Sequence, residues 1–474
     1  MNGLLTMYDF DLIVVGGGAG GLVVASVAGQ LGLKVALIEK QTLLGGDCLH
    51  YGCVPSKALL RSGHVAQLMR TASDVGISSY EPQVDLTEVN ASIQRVIDTI
   101  QVHDSHERFE SYGIEIITGQ AVFTDSHTIE VVGKRLTSKR FVVATGSSAW
   151  IPPVDGLGDI DYLTNEDMFS LKQRPKKLLI LGAGPIGVEI AQAYSRLGSE
   201  VVLIEMANRI LPRSDEEISA ALAEVLRLEG IEIVCGQSAK KIIQHDDIKT
   251  IIFDNGQTLT GDQLLVAVGR RAVVQGLGLK KAGVKYTEHG IAVNSKMQTS
   301  QRHIYACGDV TGLFPLTHVA EQQAGVVIAN CIFRVPKKMS YRVVPTVVYT
   351  EPECAEVGIS EEEAKESSYD VVRFEMKDLD RAVAERATAG FAKLIVRKGR
   401  LVGAQVIGNH AGETIHELVL AIQHKMKLSD ITGLIHAYPS YAQVNRRVAG
   451  QYFKDKLFSD TTKKIVRWLN RWLP

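Results

Sequence analysis

Phe10–Val15 (FDLIVV) begins the first strong hydrophobic pattern in the chain, a short apolar run of the kind parallel strands bury on both faces. Gly16, Gly18 and Gly21 follow in G-x-G-x-x-G spacing, a helical pattern covers residues 22–31, and a second strand over residues 34–38 ends at Glu39. The same rhythm returns later. Lys177–Leu181 (KLLIL) leads into Gly182, Gly184 and Gly187, a helix extends toward Gly198, and a strand over residues 200–204 ends at Glu205. Beyond residue 341 the pattern changes, and a predicted helix over residues 413–427 puts Ile415, Leu418, Val419, Ile422 and Met426 on one stripe, as core or dimer packing requires.

Strand, glycine turn, helix, strand and closing acid in register specify a Rossmann unit. The glycines allow a tight turn and close approach of a pyrophosphate. The helix N-terminus attracts its charge, and the acid falls where a ribose hydroxyl would sit. A duplicated unit implies two dinucleotides, or one FAD and one nicotinamide cofactor. A carboxylate at Glu205 bonds a free 2′-hydroxyl and repels a 2′-phosphate, which favours NADH over NADPH. Arg209 lies nearby and would soften that preference, unless it is an ordinary solvated charge.

Composition narrows the class without changing it. A chain of 474 residues suggests about three domains. Hydrophobic content of 45% and a mean hydropathy of +0.05 describe an ordinary globular protein. The formal net charge of −1 provides no field to draw in nucleic acid. No apolar stretch reaches the roughly 18 residues needed to span a bilayer. Residues 1–10 lack the basic start and long apolar run of a signal peptide, so the expected location is the cytoplasm. Thiols there are kept reduced, and a close cysteine pair then points to catalysis or metal binding.

Cys235, Cys307, Cys331 and Cys354 are scattered and expected to be inert core residues. Cys48 and Cys53 are different, lying in Gly45-Gly46-Asp47-Cys48-Leu49-His50-Tyr51-Gly52-Cys53-Val54-Pro55-Ser56-Lys57. Their C-x4-C spacing is not the C-x2-C of a zinc knuckle, and no second Cys or His pair lies nearby at ligand spacing. Five residues of regular helix rise about 7.5 Å, whereas a disulfide needs its Cα atoms within about 7 Å. A bond between the two therefore requires a distorted turn, which Gly52 eases, and such a strained disulfide is readily reduced. The other possibility is two reduced cysteines that never meet.

The segment resembles the redox-active helix of the pyridine nucleotide–disulfide oxidoreductases, the group that holds lipoamide dehydrogenase, glutathione reductase and mercuric reductase. Val143-Ala144-Thr145-Gly146 and Val266-Ala267-Val268-Gly269-Arg270 resemble the segments that close the two nucleotide domains. Ala306-Cys307-Gly308-Asp309, with Ala320 beyond it, resembles the second FAD-binding motif, whose aspartate holds the ribityl chain. Residues 345–352 resemble the start of the interface domain. The resemblance implies an α/β chain with two Rossmann-like domains, for FAD and NAD, and a C-terminal α+β interface domain that makes a homodimer. The implied bounds are 1–150 and 273–340 for the FAD domain, 151–272 for the NAD domain and 341–474 for the interface domain. It also implies an electron path. NADH lies on one flavin face and the Cys48–Cys53 disulfide on the other. Cys53 is the sulfur nearer the ring, and Cys48 is the interchange thiol that meets the acceptor. Lys57 matches the family lysine near the reactive ring edge, and Glu189 matches its ion-pair partner.

The sequence departs from that family at one place. Lipoamide dehydrogenase and glutathione reductase carry a His-Pro-x-x-x-Glu segment whose histidine is the acid/base for the interchange thiol. Here Tyr438 precedes Pro439, and Gln443 stands where the glutamate would be. A tyrosine is a poor base at neutral pH and a glutamine cannot stabilise an imidazolium by charge, so efficient reduction of lipoamide or glutathione disulfide is not expected. His436, two residues earlier on an extended segment, should point elsewhere. Mercuric reductases also carry tyrosine there, and two thiolates suit a soft cation. Those enzymes usually add a C-terminal cysteine pair and an N-terminal metal-binding domain, whereas this sequence has no cysteine after Cys354.

Residues 463–473 pattern as a basic amphipathic helix, with Ile465, Val466, Trp468, Leu469, Trp472 and Leu473 on one face and Lys463, Lys464, Arg467 and Arg471 around it. That pattern suits packing on the dimer or weak contact with a membrane surface, which would be the inner membrane face. Three functions remain in play: reduction of a disulfide or other thiol-reactive acceptor, soft metals included; a diaphorase-like reduction of quinones that leaves the cysteines idle; and a redox sensor that binds NADH.

Overall fold

The β strands of the first nucleotide unit are buried on both faces, as their continuous apolar runs predict. The computed structural model describes residues 8–365 and 368–472. The chain divides into two compact units. One contains residues 1–182, 196–199 and 239–340, and the other residues 183–195, 200–238 and 341–474.

The first unit holds an all-parallel five-stranded sheet in the order Ile304–Ala306, Phe141–Val143, Leu12–Val15, Val35–Glu39, Ile114–Thr118. Alternation along the strands feeds two separate cores. Ile13, Val15, Ala36, Ile38, Phe141 and Val143 pack with Phe123, Ile129 and Val131 from an antiparallel three-stranded sheet. Leu12, Val14, Val35, Leu37 and Val142 pack with Val24, Ala25 and Ala28 of helix Ala19–Gln30 and with Ala324 and Val327 of helix Thr317–Val327. In the same unit Lys177–Leu181 pairs in parallel with Gln263–Val266.

In the second unit Glu200–Glu205 pairs in parallel with Glu232–Cys235. Its other part is an antiparallel five-stranded sheet in the order Thr346–Val348, Glu353–Gly358, Arg400–Gly408, Phe391–Arg397, Asp370–Glu375. Helices Ala411–Gln423 and Gln443–Leu457 contribute Ile415, Leu418, Ile422, Val444 and Val448 to the core on that sheet. Lys393, 1% exposed, reaches the Asp215 and Glu217 carboxylates at 2.8 Å and that of Glu361 at 2.7 Å, so its buried charge is compensated.

The helix predicted over residues 413–427 runs instead from Ala411 to Gln423. The chain turns through Lys425, whose φ is +54°, and the Met426 N–H donates to the Ala421 carbonyl at 2.9 Å. Met426 still packs against the same core, which explains why the apolar stripe ran past the helix end. Cys307, Cys331 and Cys354 are buried as expected, but Cys235 is only half-buried because it ends an edge strand. The last helix begins at Asp460 and runs to Trp472. Leu473 lies outside the described residues.

Candidate active site

Each nucleotide turn is built around one glycine in the left-handed region. Gly16 has φ +109°, and a Cβ there would sit 2.3 Å from the Ala144 carbonyl oxygen. Gly182 repeats this with φ +106° and 2.5 Å to the Ala267 carbonyl oxygen. No side chain is tolerated at either position, which explains the spacing in physical terms. Gly21 meets the Gly16 carbonyl oxygen at 1.9 Å from its own virtual Cβ, so helix and strand close tightly. Gly18 and Gly184 are open: the nearest atom to a Gly18 Cβ is the Gly46 Cα at 3.9 Å, and nothing lies within 4 Å at Gly184. Helix Ala19–Gln30 starts at Gly18 without a side-chain cap, leaving its N-terminal N–H groups for an anion. Gly187 lies in helix Pro185–Arg196.

The two strand-ending acids match each other atom for atom. Glu39 accepts from the Gly17 N–H at 2.6 Å and the Gln41 N–H at 2.9 Å. Glu205 accepts from the Ala183 and Ala207 N–H groups, both at 2.9 Å. Each carboxylate is thus held at its turn with lone pairs left for a ribose hydroxyl. Arg209 donates Nη2 to the carbonyls of Pro212 and Ser214, both at 3.2 Å, and so is committed to its own loop.

Cys48 lies in the short helix Gly46–His50, and Cys53 opens helix Cys53–Thr71. Between them Tyr51 and Gly52 leave helical geometry, the distorted turn the spacing required. Cys48 is half-buried and Cys53 exposed. The side chains hydrogen-bond to each other. That bond, followed by burial, raises the Cys48 pKa. The Thr317 hydroxyl lies 3.4 Å from Cys53 Sγ. Thr317 is the first residue of helix Thr317–Val327, so the positive helix end also favours a thiolate there. Lys57, one turn beyond Cys53, contacts the Ser56 hydroxyl at 3.3 Å.

A polar chain unforeseen from sequence joins the cysteine segment to the second FAD-type motif. Asp309 accepts from the Ser147 hydroxyl at 2.6 Å. Arg270 donates to that hydroxyl at 2.8 Å and to the Ser147 carbonyl at 2.9 Å. It pairs with the Asp47 carboxylate at 3.1 Å, and Asn165 donates to Asp47 at 3.2 Å and to the Tyr51 carbonyl at 3.0 Å. Asp47 immediately precedes Cys48. Around this chain, Thr145 donates its hydroxyl to the Val273 carbonyl at 2.8 Å, and Gly146 and Gly269 take φ of +68° and +139°. Gly308 donates its N–H to Gln323 at 2.7 Å, and Ala320 is buried where its Cβ would lie 3.5 Å from one at Gly308.

In the second unit Glu189 is buried and accepts from the Tyr349 N–H at 2.9 Å. Tyr438 is 69% exposed, whereas Gln443 is buried at the first position of helix Gln443–Leu457. His436 turns inward: its Nε2 lies 3.2 Å from both carboxylate oxygens of Glu417, and Asn445 also donates to Glu417 at 2.8 Å.

Two anion-ready nucleotide turns and a dithiol held at a helix N-terminus define a nucleotide-dependent dithiol oxidoreductase. Known proteins agree. Residues 10–324 match the family model for pyridine nucleotide-disulphide oxidoreductase, and residues 344–448 match that family's dimerisation domain. The chain belongs to the pyridine nucleotide-disulphide oxidoreductases, which are FAD-dependent enzymes using a pyridine nucleotide. It is 34% identical to a mercuric reductase of Staphylococcus aureus, over 94% of this chain and 83% of that one. It is 35% identical to a dihydrolipoyl dehydrogenase of Bacillus subtilis (strain 168), over 93% and 96%. Among solved structures, the Cu(II) complex of the HOCl-induced flavoprotein disulfide reductase RclA of Escherichia coli superposes with a TM-score of 0.85 at 26% identity, covering 93% of this chain and 99% of that one. Among the described residues, no helix is long and apolar enough to cross a membrane.

Proposed function

We propose that the protein, as a homodimer, uses NADH to reduce a Cys48–Cys53 disulfide and passes the electron pair to a thiol-reactive acceptor, with a soft metal ion ahead of lipoamide or glutathione disulfide. The observation that carries this reading is the dithiol at the helix N-terminus combined with Tyr438 in place of the usual histidine. Bound FAD supplies the two-electron chemistry between nicotinamide and dithiol. The chain's residues do the rest. Gly16, Gly18, Gly21 and Glu39 would hold the FAD pyrophosphate and ribose, while Thr145, Gly146, Gly308, Asp309 and Ala320 would line its other end. Gly182, Gly184, Gly187, Glu205 and Gly269 would hold NADH. The Glu205 carboxylate at that turn bonds a free 2′-hydroxyl and repels a 2′-phosphate, which supports NADH over NADPH. Lys57 would stand near the reactive edge of the flavin.

Reduction breaks the S–S bond. Cys53 keeps the thiolate, favoured by Thr317 and the helix end, and Cys48 becomes the thiol that attacks the acceptor after losing its proton. Tyr438 is mostly neutral at pH 7, so it serves better as a hydrogen-bond donor than as a base. Two adjacent sulfurs need no general base to bind a soft cation. The test is steady-state NADH oxidation with Hg(II) in excess thiol, beside lipoamide and glutathione disulfide. Turnover confined to Hg(II) and lost in Cys48→Ser supports the reading. Brisk turnover with either disulfide refutes the acceptor preference.

A further inference from the structure

The helix Asp460–Trp472 lies outside the proposed chemistry and outside the matched dimerisation domain, which ends at residue 448. It spans 13 residues, and none of them is buried. Its bonds are local: Ser459 Oγ accepts from the Thr462 N–H at 3.3 Å, Lys463 pairs with Asp460 at 3.5 Å, and Asn470 donates to the Val466 carbonyl at 2.9 Å.

Its faces are sharply divided. At about 100° per residue, Trp468, Trp472, Ile465, Leu469 and Val466 fall within one arc of about 160°, and Lys463, Lys464, Arg467, Arg471 and Asp460 fall on the opposite side. The five apolar side chains are 61%, 70%, 52%, 37% and 48% exposed in that order. Leu457 and Phe458, at 58% and 61%, extend the patch toward the preceding helix. Among the described residues, nothing buries this face. The segment carries a net +3 on a chain of net −1, so the remainder carries −4.

We propose that this helix docks the enzyme on an anionic lipid surface, its apolar arc in the headgroup–acyl boundary and its basic side facing the headgroups and solvent. Chemical complementarity selects this occupant. Two tryptophans stand side by side at one edge of the arc, where an amphipathic ring suits the interface. The basic side answers anionic headgroups, whereas stacking against the same helix of a second copy would oppose +3 with +3. The docking is independent of the acceptor chemistry.

The test uses the FAD-loaded full chain in cosedimentation with phosphatidylcholine vesicles, with and without phosphatidylglycerol. The expected result is pelleting with the anionic vesicles alone, weakened by salt, with Trp468→Glu/Trp472→Glu and Lys463→Glu/Lys464→Glu each lowering the partition coefficient at least about tenfold. NADH oxidation with ferricyanide should be unchanged in both variants. Absence of pelleting by the wild-type chain overturns the proposal, as does equal pelleting by the variants. If Trp468→Glu/Trp472→Glu instead reduces the oligomer size in sedimentation velocity, the face is a contact between copies and the lipid proposal is wrong.

Discussion

Arg270→Met should slow the chemistry at Cys48 without touching either cysteine. In the folded chain Arg270 offsets the Asp47 carboxylate at 3.1 Å, and Asp47 is the residue before Cys48. The pair is 16% and 35% exposed, so neither the full strength of a dry interior nor that of bulk water applies. For charges separated by about 6 Å through an effective dielectric of about 40, Coulomb's law gives about 1.4 kcal/mol, or a factor of about ten. Removing Arg270 leaves that negative charge uncompensated, and the thiolate fraction of the attacking sulfur at pH 7 should fall about tenfold. Asp47→Asn does the reverse: it leaves Arg270 unpaired and should raise the fraction by a similar factor. The assay is the rate of iodoacetamide alkylation of the reduced, FAD-loaded enzyme across pH, with mass spectrometry to assign the sulfur. Opposite displacements of the two profiles support the electrostatic account. Displacement of both in the same direction refutes it and makes the pair a mere brace of the Gly46–His50 turn. Arg270→Lys separates the contributions further, since it keeps the charge and loses the fork that reaches Ser147 and Asp47 together.

Cys48→Ser should lower turnover with any thiol-reactive acceptor at least about a thousandfold while leaving NADH oxidation by ferricyanide within about twofold; unchanged acceptor turnover would favour a diaphorase. Thr317→Val removes the hydroxyl at 3.4 Å from Cys53 and should cost that thiolate about 1 kcal/mol, seen as a roughly fivefold smaller ultraviolet thiolate signal at pH 7. Glu205→Ala should raise the ratio of kcat/KM for NADPH over NADH about tenfold or more, and an unchanged ratio would remove Glu205 from cofactor selection. Burial holds the Glu356 carboxyl above its ordinary value of 4.5, so the folded chain binds this proton more tightly than the unfolded one. The penalty is therefore full at pH 7 and fades as pH falls through the folded value, so Glu356→Gln should melt about 2 °C higher than wild type at pH 7, with the gap closing toward pH 4.5.

What was legible in the sequence lay within short spans. Gly16 and Gly182 announce themselves because a Cβ at either would strike a carbonyl, and the apolar strands beside them are unbroken because both of their faces are buried. The break between Cys48 and Cys53 follows from helix rise alone. The brace on Asp47 was not legible, because Asn165 lies 118 positions away and Arg270 a further 105 from Asn165, and no local pattern records such a meeting. His436 shows the same limit at the other end of the chain. Its spacing before Pro439 predicts that it points elsewhere but not toward what, and only the fold brings Glu417 from helix Ala411–Gln423 and Asn445 from helix Gln443–Leu457 to hold it. With a side chain 7% exposed and a carboxylate partner inside its own domain, His436 could meet an acceptor only by breaking that pair. The proposed preference for an acceptor that needs little proton help, such as a soft cation, therefore rests on the packing of His436 as well as on the identity of Tyr438.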